Sequence, residues 1–450
     1  MDKLNREILR LSIPTIVSNI TIPLLGICDT AISGHLGSEL FLSAIAVGSV
    51  MLNVVFWIFG FLRGGTTGLT ANALGAGAEI EISKVLYRAI IIALTAGIVL
   101  ILLREPIFSG LWIVAGSGDE IKELVKEYFY IRIGGSPALL CVIAISGWFV
   151  GMQTTFYPML IAIATNVINI VASYALVFIF GYGFKGVALG TLISNWIGLL
   201  LAIVCMIWFL RGKWISCSIK NIIHGEWWKY FSVNGNLFLR SFFIICVTMG
   251  VTAAGGRIGY LTLAVNIIVM QFFQFFSFFI DGFAYSGEAL VGLRTGEGNF
   301  TMLRKCVNRL LIWTIGSGIL FSLIYLVGIG NISSWLTESE SVIAGVMELT
   351  PWVALIPVVS CWSFIYDGFY VGITDTFKMM LSTLIGGLIF FGILSLNYFE
   401  LDSLNSINAN QIIWTAFLSY LFARGLFLIL MWPRSLRNLS SSATRPIVTT

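Results

Sequence analysis

Charge is scarce in this 450-residue chain. Lys, Arg, Asp and Glu make up 11 % of it, against roughly 25 % in soluble domains. That shortage excludes a soluble enzyme, a disordered chain and a basic nucleic-acid-binding domain, so no nucleic acid is expected as a partner. Histidine is nearly absent, with His35 and His224 the two copies. There is no HExxH, no Cys/His cluster and no GxxxxGK[ST], so metal catalysis and ATP hydrolysis lack their parts. No cofactor, no metal and no enzymatic activity are expected. The seven cysteines, at 28, 141, 205, 217, 246, 306 and 361, form no CxxC and lie mostly inside apolar runs. They read as reduced core residues. The net charge of +4 fits basic loops and requires no acidic partner. No cleavable signal peptide is expected, because about ten polar residues lead straight into a long apolar run.

What the chain has in excess is apolar surface. Hydrophobic residues reach 58 % and the mean hydropathy is +0.94. Twelve apolar runs fall at 8–33, 40–63, 85–103, 127–150, 157–180, 186–210, 229–254, 260–285, 307–329, 345–370, 378–397 and 411–433. Each approaches the ~20 residues of a membrane-spanning helix. In lipid every span must satisfy its own backbone hydrogen bonds, so the runs predict helices. The expected fold is an all-α polytopic membrane protein with twelve transmembrane helices. An even number of spans puts both termini on one side. Basic residues choose the side: Lys3, Arg6, Arg10, Lys84, Arg211, Lys213, Lys220, Arg304, Lys305, Arg434 and Arg437 crowd one set of loops and tails, and Arg104, Lys122, Lys126, Lys185 and Arg257 occupy the other. Both termini are therefore expected to be cytoplasmic.

The chain also repeats itself. GWFVGMQTTFYPML at 147–160 and GFYVGITDTFKMML at 368–381 share Gly, Val, Gly, Thr, Phe, Met and Leu at an offset of 221. LGAG at 74–77 and TGEG at 295–298 keep the same offset, as do Gly34 and Gly255. Two six-helix halves follow: an amino-terminal lobe at 1–215, a cytoplasmic connector at 216–228, a carboxy-terminal lobe at 229–435 and a cytoplasmic tail at 436–450. Six is even, so the halves would be parallel repeats about a pseudo-two-fold axis along the membrane normal. That is a transporter plan, with alternating access by rocking one half against the other.

Polar residues inside spans are the functional candidates. Four acids stand out: Asp29 in span 1, Asp281 and Glu288 two helical turns apart, and Asp367 near the inner end of span 10. The alternative for each is a structural ion pair with Arg63, Arg240 or Arg424, or, for Glu288, a place at the inner interface. Thr165, Asn169 and Ser173 recur every four residues along span 5, and Thr191 and Asn195 are four apart in span 6, so each set lines one stripe. Such residues either glue helices together or, with Asp29, supply oxygen ligands to a proton or a small hard cation. Gly186 and Gly190 form GxxxG, a close helix contact. Pro14 and Pro23 interrupt span 1, as a fixed kink or as a hinge. Asn166, Asn195, Arg240, Asp281 and Asp367 are the candidates for contacting a substrate.

Together these features resemble the multidrug and toxic compound extrusion (MATE) transporters. DTAISGHLG at 29–37, FLRGGTTGLTANALGAG at 61–77 and DGFAYSGEALVG at 281–292 look like the DinF-type branch, and the resemblance runs from about residue 5 to 435. It implies that Asp29 is the helix 1 acid of an amino-lobe cation site and Pro14 the helix 1 proline associated with bending. It likewise implies that Asn169 is the helix 5 asparagine and Thr191 the helix 6 threonine. Many relatives carry an Asp where this chain has Ser173. One carboxylate of the usual pair is thus missing, which weakens a sodium site, because charge count helps set cation affinity. Asp29 remains the lobe's sole acid, and DinF-type members are generally described as proton-coupled. H+ is therefore the expected coupling ion and Na+ the alternative. The resemblance also implies export of cationic amphiphiles, so small organic cations are the expected substrates. A monomer in the bacterial cytoplasmic (inner) membrane is expected, in contact with membrane lipid.

The mechanism expected is competition at one carboxylate. Facing outside, Asp29 takes a proton and releases the cationic cargo; facing inside, it loses the proton and attracts the next. Cargo and proton then bias two states differently, as coupling requires. The rivals are a sodium-coupled exporter and a flippase for a lipid-linked precursor. The flippase's anionic cargo would call for a lumen rich in Lys and Arg.

Overall fold

The computed structural model describes residues 3–36, 38–115, 118–211, 227–397 and 406–443. Most of the expected connector, with Cys217 and His224, lies outside the described residues, as do residues 444–450 of the tail. Among the described residues there is no strand, and the α-helices are α1 (Lys3–Gly34), α2 (Glu39–Ile58), α3 (Phe61–Gly75), α4 (Glu79–Leu102), α5 (Arg104–Ala115), α6 (Lys122–Ile133), α7 (Ser136–Gly151), α8 (Phe156–Tyr174), α9 (Phe184–Leu210), α10 (Trp227–Ile258), α11 (Tyr260–Gly296), α12 (Phe300–Leu336), α13 (Glu340–Glu348), α14 (Thr350–Gly372), α15 (Thr376–Leu396) and α16 (Ser406–Ala443). A π-helical turn, Ala175–Ile179, extends α8.

Among the described residues, eleven stretches are long and apolar enough to cross a membrane, with α2 and α3 counting together as Glu39–Gly75; α6 and α7, bent by 49°, make a twelfth if the pair is one span. The bend falls at Gly134 and Gly135, and a proline opens α7, where its missing N–H costs no hydrogen bond. Large apolar side chains such as Val327 and Leu396 stay exposed, as lipid-facing surfaces require.

The 221-residue offset is carried by the backbone. The α2–α3 span begins at Glu39 and ends at Gly75, and α11 begins at Tyr260 and ends at Gly296; α4 starts at Glu79 and α12 at Phe300; α7 ends at Gly151 and α14 at Gly372. Left-handed residues recur at the same offset: Gly77 (φ 66°) with Gly298 (φ 68°), and Gln153 (φ 62°) with Thr374 (φ 59°). Each closes a helix in a Schellman arrangement, for example Thr154 N–H to Phe149 O at 3.1 Å and Asp375 N–H to Tyr370 O at 3.0 Å. The close approaches repeat as well. Gly147 abuts the backbone of Arg63, and Gly368 that of Ala284; Gly151 lies on Thr67 and Thr70, Gly372 on Glu288 and Val291. A side chain at these glycines would push two helices apart.

The chain forms two compact units, Ile13–Tyr230 and Met1–Ser12 with Phe231–Thr450. In the first, α7 packs against α3, α4 and α9, and α8 lies along α9. Its aromatic core includes Trp148, Phe149, Tyr157 and Phe209. In the second, α14 packs against α11, α12 and α16, and α15 lies along α16; the Trp432 ring meets Tyr366 and Tyr370 edge-on and Phe369 at a tilt. The opening turns of α1 belong to this second unit: Ser12 and Ser286 hydroxyls are 2.7 Å apart, and Trp313 Nε1 donates to Asn5 Oδ1 at 3.3 Å. Pro14 stands two residues past the point where the units divide, and α1 runs on through both Pro14 and Pro23.

Candidate functional site

The polar stripe of α8 packs onto a small-residue stripe of α9. Thr165 faces Gly198 and Ser173 faces Gly190, while Gly186 meets the backbone at Leu176 and Val177. Absent side chains on α9 let the two helices approach, and polar groups of α8 fill the seam. Asn169 sits between these contacts. Its Nδ2 donates to Thr191 Oγ1 at 3.1 Å, its Oδ1 accepts from Ser173 Oγ at 3.4 Å, and Thr191 Oγ1 donates to Val187 O at 3.2 Å. All three residues are buried. The structure therefore joins Asn169, Ser173 and Thr191 into one hydrogen-bonded set. The oxygens of that set are neutral and engaged with one another, a weak donor set for a hard cation.

Asn166, one turn earlier, donates to Thr21 Oγ1 at 2.8 Å and ties α8 to α1. Asn195 is half-buried, with its amide against Gly135 at the α6–α7 bend.

Asp29 stands apart from that set. It is half-buried on α1, and its Oδ1 is buried with no hydrogen-bond partner among the described residues. Its backbone carbonyl accepts from Ser33 Oγ at 2.6 Å. The charged side chain whose field reaches Asp29 is Arg132 of α6. Arg132 is held elsewhere: its Nη1 donates to Tyr128 OH at 2.9 Å and to Ser49 Oγ at 3.2 Å, and those two hydroxyls are 3.0 Å from each other. Arg132, Tyr128 and Ser49 were not among the candidates read from sequence. The available signal was a lone arginine at the start of span 4, but nothing in the sequence aims it at Asp29.

The second unit treats its buried acid differently. Asp367 Oδ2 accepts from Nη2 of both Arg240 and Arg424, the latter at 2.6 Å. Arg424 Nη1 also donates to Tyr420 OH at 3.0 Å, and its guanidinium lies 5.2 Å from the centre of that ring. Of the three arginines weighed as partners, Arg240 and Arg424 are the ones that pair with Asp367. Glu288 is buried on α11, and Asp281 is half-buried two turns before it. Among the described residues no group of three or more His, Cys, Asp or Glu could hold a metal ion.

A multi-helix membrane protein built from a duplicated six-span half, with polar clusters buried between its helices, has the architecture of a secondary transporter. The chain matches the MatE family over residues 14–175 and 237–395 and belongs to it. That family is one of membrane transporters. The chain is 31 % identical over 441 residues to the DNA damage-inducible protein F of Escherichia coli, covering 96 % of this chain and 93 % of that one. It is 26 % identical over 360 residues to a probable multidrug resistance protein NorM of Thermotoga maritima, covering 73 % and 70 %. Solved structures share the fold at low identity. A MATE transporter in the bent conformation superposes with a TM-score of 0.87 at 16 % identity, covering 98 % of this chain and 97 % of that one. A MOP superfamily transporter from Pyrococcus furiosus superposes with a TM-score of 0.83 at 17 % identity, covering 98 % and 97 %.

Proposed function

We propose that this transporter exports cationic amphiphiles in exchange for protons, with Asp29 as the coupling carboxylate. The observation that carries the reading is a contrast between acids. Among the described residues, Asp29 and Asp367 are the carboxylates with a buried oxygen that lacks a hydrogen-bond partner. Asp367 is ion-paired, and Asp29 has no ion pair among the described residues. A carboxylate already neutralised by arginine has little to gain from a proton or a cationic cargo. An unpaired one in low-dielectric surroundings can bind either, and not both at full strength. Arg132 would keep the vacated charge tolerable while its Nη1 stays bonded to Tyr128 and Ser49.

Proton coupling is favoured over sodium by the Asn169–Ser173–Thr191 set, whose oxygens carry no charge. The protein would work as a monomer in the bacterial cytoplasmic (inner) membrane with both termini in the cytoplasm, as the distribution of basic residues supports. Pro14 would serve as the hinge of α1, since helix-interior proline frees a carbonyl and weakens the helix there.

The test is dye-cation transport by purified protein in liposomes under an imposed pH gradient or an imposed sodium gradient. Proton-driven transport that disappears in Asp29→Asn is expected. Export driven by sodium alone, or proton-driven export that survives Asp29→Asn, overturns the reading.

A further inference from the structure

We propose that the cleft between the start of α5 and one face of α6 is a site for a phospholipid headgroup that carries both a phosphate and a primary ammonium. This site lies within the first unit and does not depend on the export reading. The cleft has a volume of about 610 Å³ and is lined by Arg104 of α5 and by Glu123, Leu124, Lys126, Glu127, Tyr130 and Ile131 of α6. Glu123, Glu127 and Tyr130 recur at helical spacing, so one stripe of α6 faces the opening. The first argument is charge. Two of the four charged lining groups are already paired: Lys126 Nζ lies 2.9 Å from Glu105 Oε1, and Glu127 Oε1 lies 2.5 Å from Lys185 Nζ. Arg104 and Glu123, one cation and one anion, are left with no ion pair among the described residues. A zwitterion answers both charges; a simple anion or a simple cation answers only one.

The second argument is the aromatic platform. The Arg104 guanidinium lies 4.5 Å from the centre of the Tyr130 ring, and Lys126 Nζ lies 5.5 Å from it. The ring steadies Arg104 without neutralising it, so its planar donors stay available to a phosphate. The Tyr130 hydroxyl is buried with no hydrogen-bond partner among the described residues, a deficit that an oxygen-rich ligand in the cleft would relieve. The third argument is depth. The apolar stretch Glu79–Leu102 ends two residues before Arg104, and α6 opens the bent pair. The cleft thus lies where a span leaves the hydrocarbon, at the level of lipid headgroups. Leu102 and Leu103, just before Arg104, are exposed and offer acyl chains an apolar surface, which favours a lipid over a free zwitterion. A primary ammonium donates hydrogen bonds to a carboxylate such as Glu123; a quaternary one has no N–H to donate.

The experiment is native mass spectrometry of purified full-length protein in detergent with an equimolar mixture of dioleoyl phosphatidylethanolamine, dioleoyl phosphatidylcholine and dioleoyl phosphatidylglycerol. The three lipids share their acyl chains and differ only in the headgroup. The unaltered protein is expected to retain phosphatidylethanolamine about three- to fivefold over either rival, the scale of one partly exposed charge pair. Glu123→Gln should bring phosphatidylethanolamine down to the level of phosphatidylcholine. Arg104→Gln should lower the retention of all three. Glu123→Lys should reverse the preference in favour of phosphatidylglycerol, a gain that misfolding cannot produce. The same lipid ratios in the unaltered protein and all three variants overturn the proposal. Displacement of the lipid by glycerophosphoethanolamine, which lacks acyl chains, at the concentration of the lipid itself overturns it in favour of a free zwitterion. Proton-driven export is read separately in liposomes, so either result leaves the export reading standing.

Discussion

The two units share a backbone and differ in what they do with a buried acid. In Ile13–Tyr230, Asp29 has no ion pair among the described residues, and Arg132 donates through Nη1 to Ser49 and Tyr128. In the unit built from Phe231–Thr450, Asp367 is clamped by Arg240 and Arg424. Yet the helix ends, the left-handed turns and the glycine contacts recur 221 residues apart. Duplication preserved the frame because close helix approach tolerates few side chains. The interior diverged because a polar side chain needs only one suitable neighbour, and that neighbour can come from any helix. On the proposed function, the difference would divide the labour: the unpaired carboxylate would exchange ligands, and the paired one would hold its helices together.

That contrast can be broken most severely at Asp29. Asp29→Asn should reduce proton-driven export to the leak of empty liposomes while the protein still folds, which thermal unfolding in detergent would check. The equivalent change at Asp367 should leave proton-driven export of a cation measurable. Loss of coupling in both would erase the distinction between the units.

A smaller but still large effect is expected on stability. Arg424→Gln strands a buried carboxylate between fewer charges and should cost about 3–5 kcal/mol, with part recovered by adding Asp367→Asn. Arg132→Gln removes hydrogen bonds to two hydroxyls but no ion pair, so it should cost only about 1–3 kcal/mol. Thermal unfolding of the variants side by side reads the difference. Equal losses would mean that Asp29 is ion-paired after all.

The shared frame gives the next prediction. Gly147→Ala and Gly368→Ala place a methyl group against backbone at equivalent crossings, and each should destabilise by about 1–3 kcal/mol, the range for overpacking. Similar losses at the two positions would confirm that the crossings are equivalent.

The smallest effect is expected at the two non-glycine left-handed residues. Thr374 is β-branched and strained at φ 59°, more so than Gln153. Thr374→Gly should raise stability by a few tenths to about 1 kcal/mol, and Gln153→Gly by less.

Much of this was legible in the chain itself. The twelve apolar runs correspond to eleven apolar helical stretches and one bent pair, because hydropathy is a local property that lipid imposes on every span. The four-residue spacing of Thr165, Asn169 and Ser173 marked a stripe, and GxxxG at Gly186 and Gly190 marked its close contact. Less legible was the bent fourth span. Its apolar pattern continues through Gly134 and Gly135, and periodicity does not register a change of direction.

The sequence by itself determined the solvent, the number of crossings, the duplication and the roster of intramembrane polar residues. Each of these follows from composition or spacing along one helix. Tertiary structure alone decided which of those residues meet. Asp367 finds Arg240 and Arg424 from distances of 127 and 57 residues, Asn169 finds Thr191 across 22, and Asp29 finds no ion pair among the described residues. The reason is rotational. A helix announces its stripes through spacing, but the neighbour each stripe faces is set by how whole helices pack, and the local sequence carries no record of that.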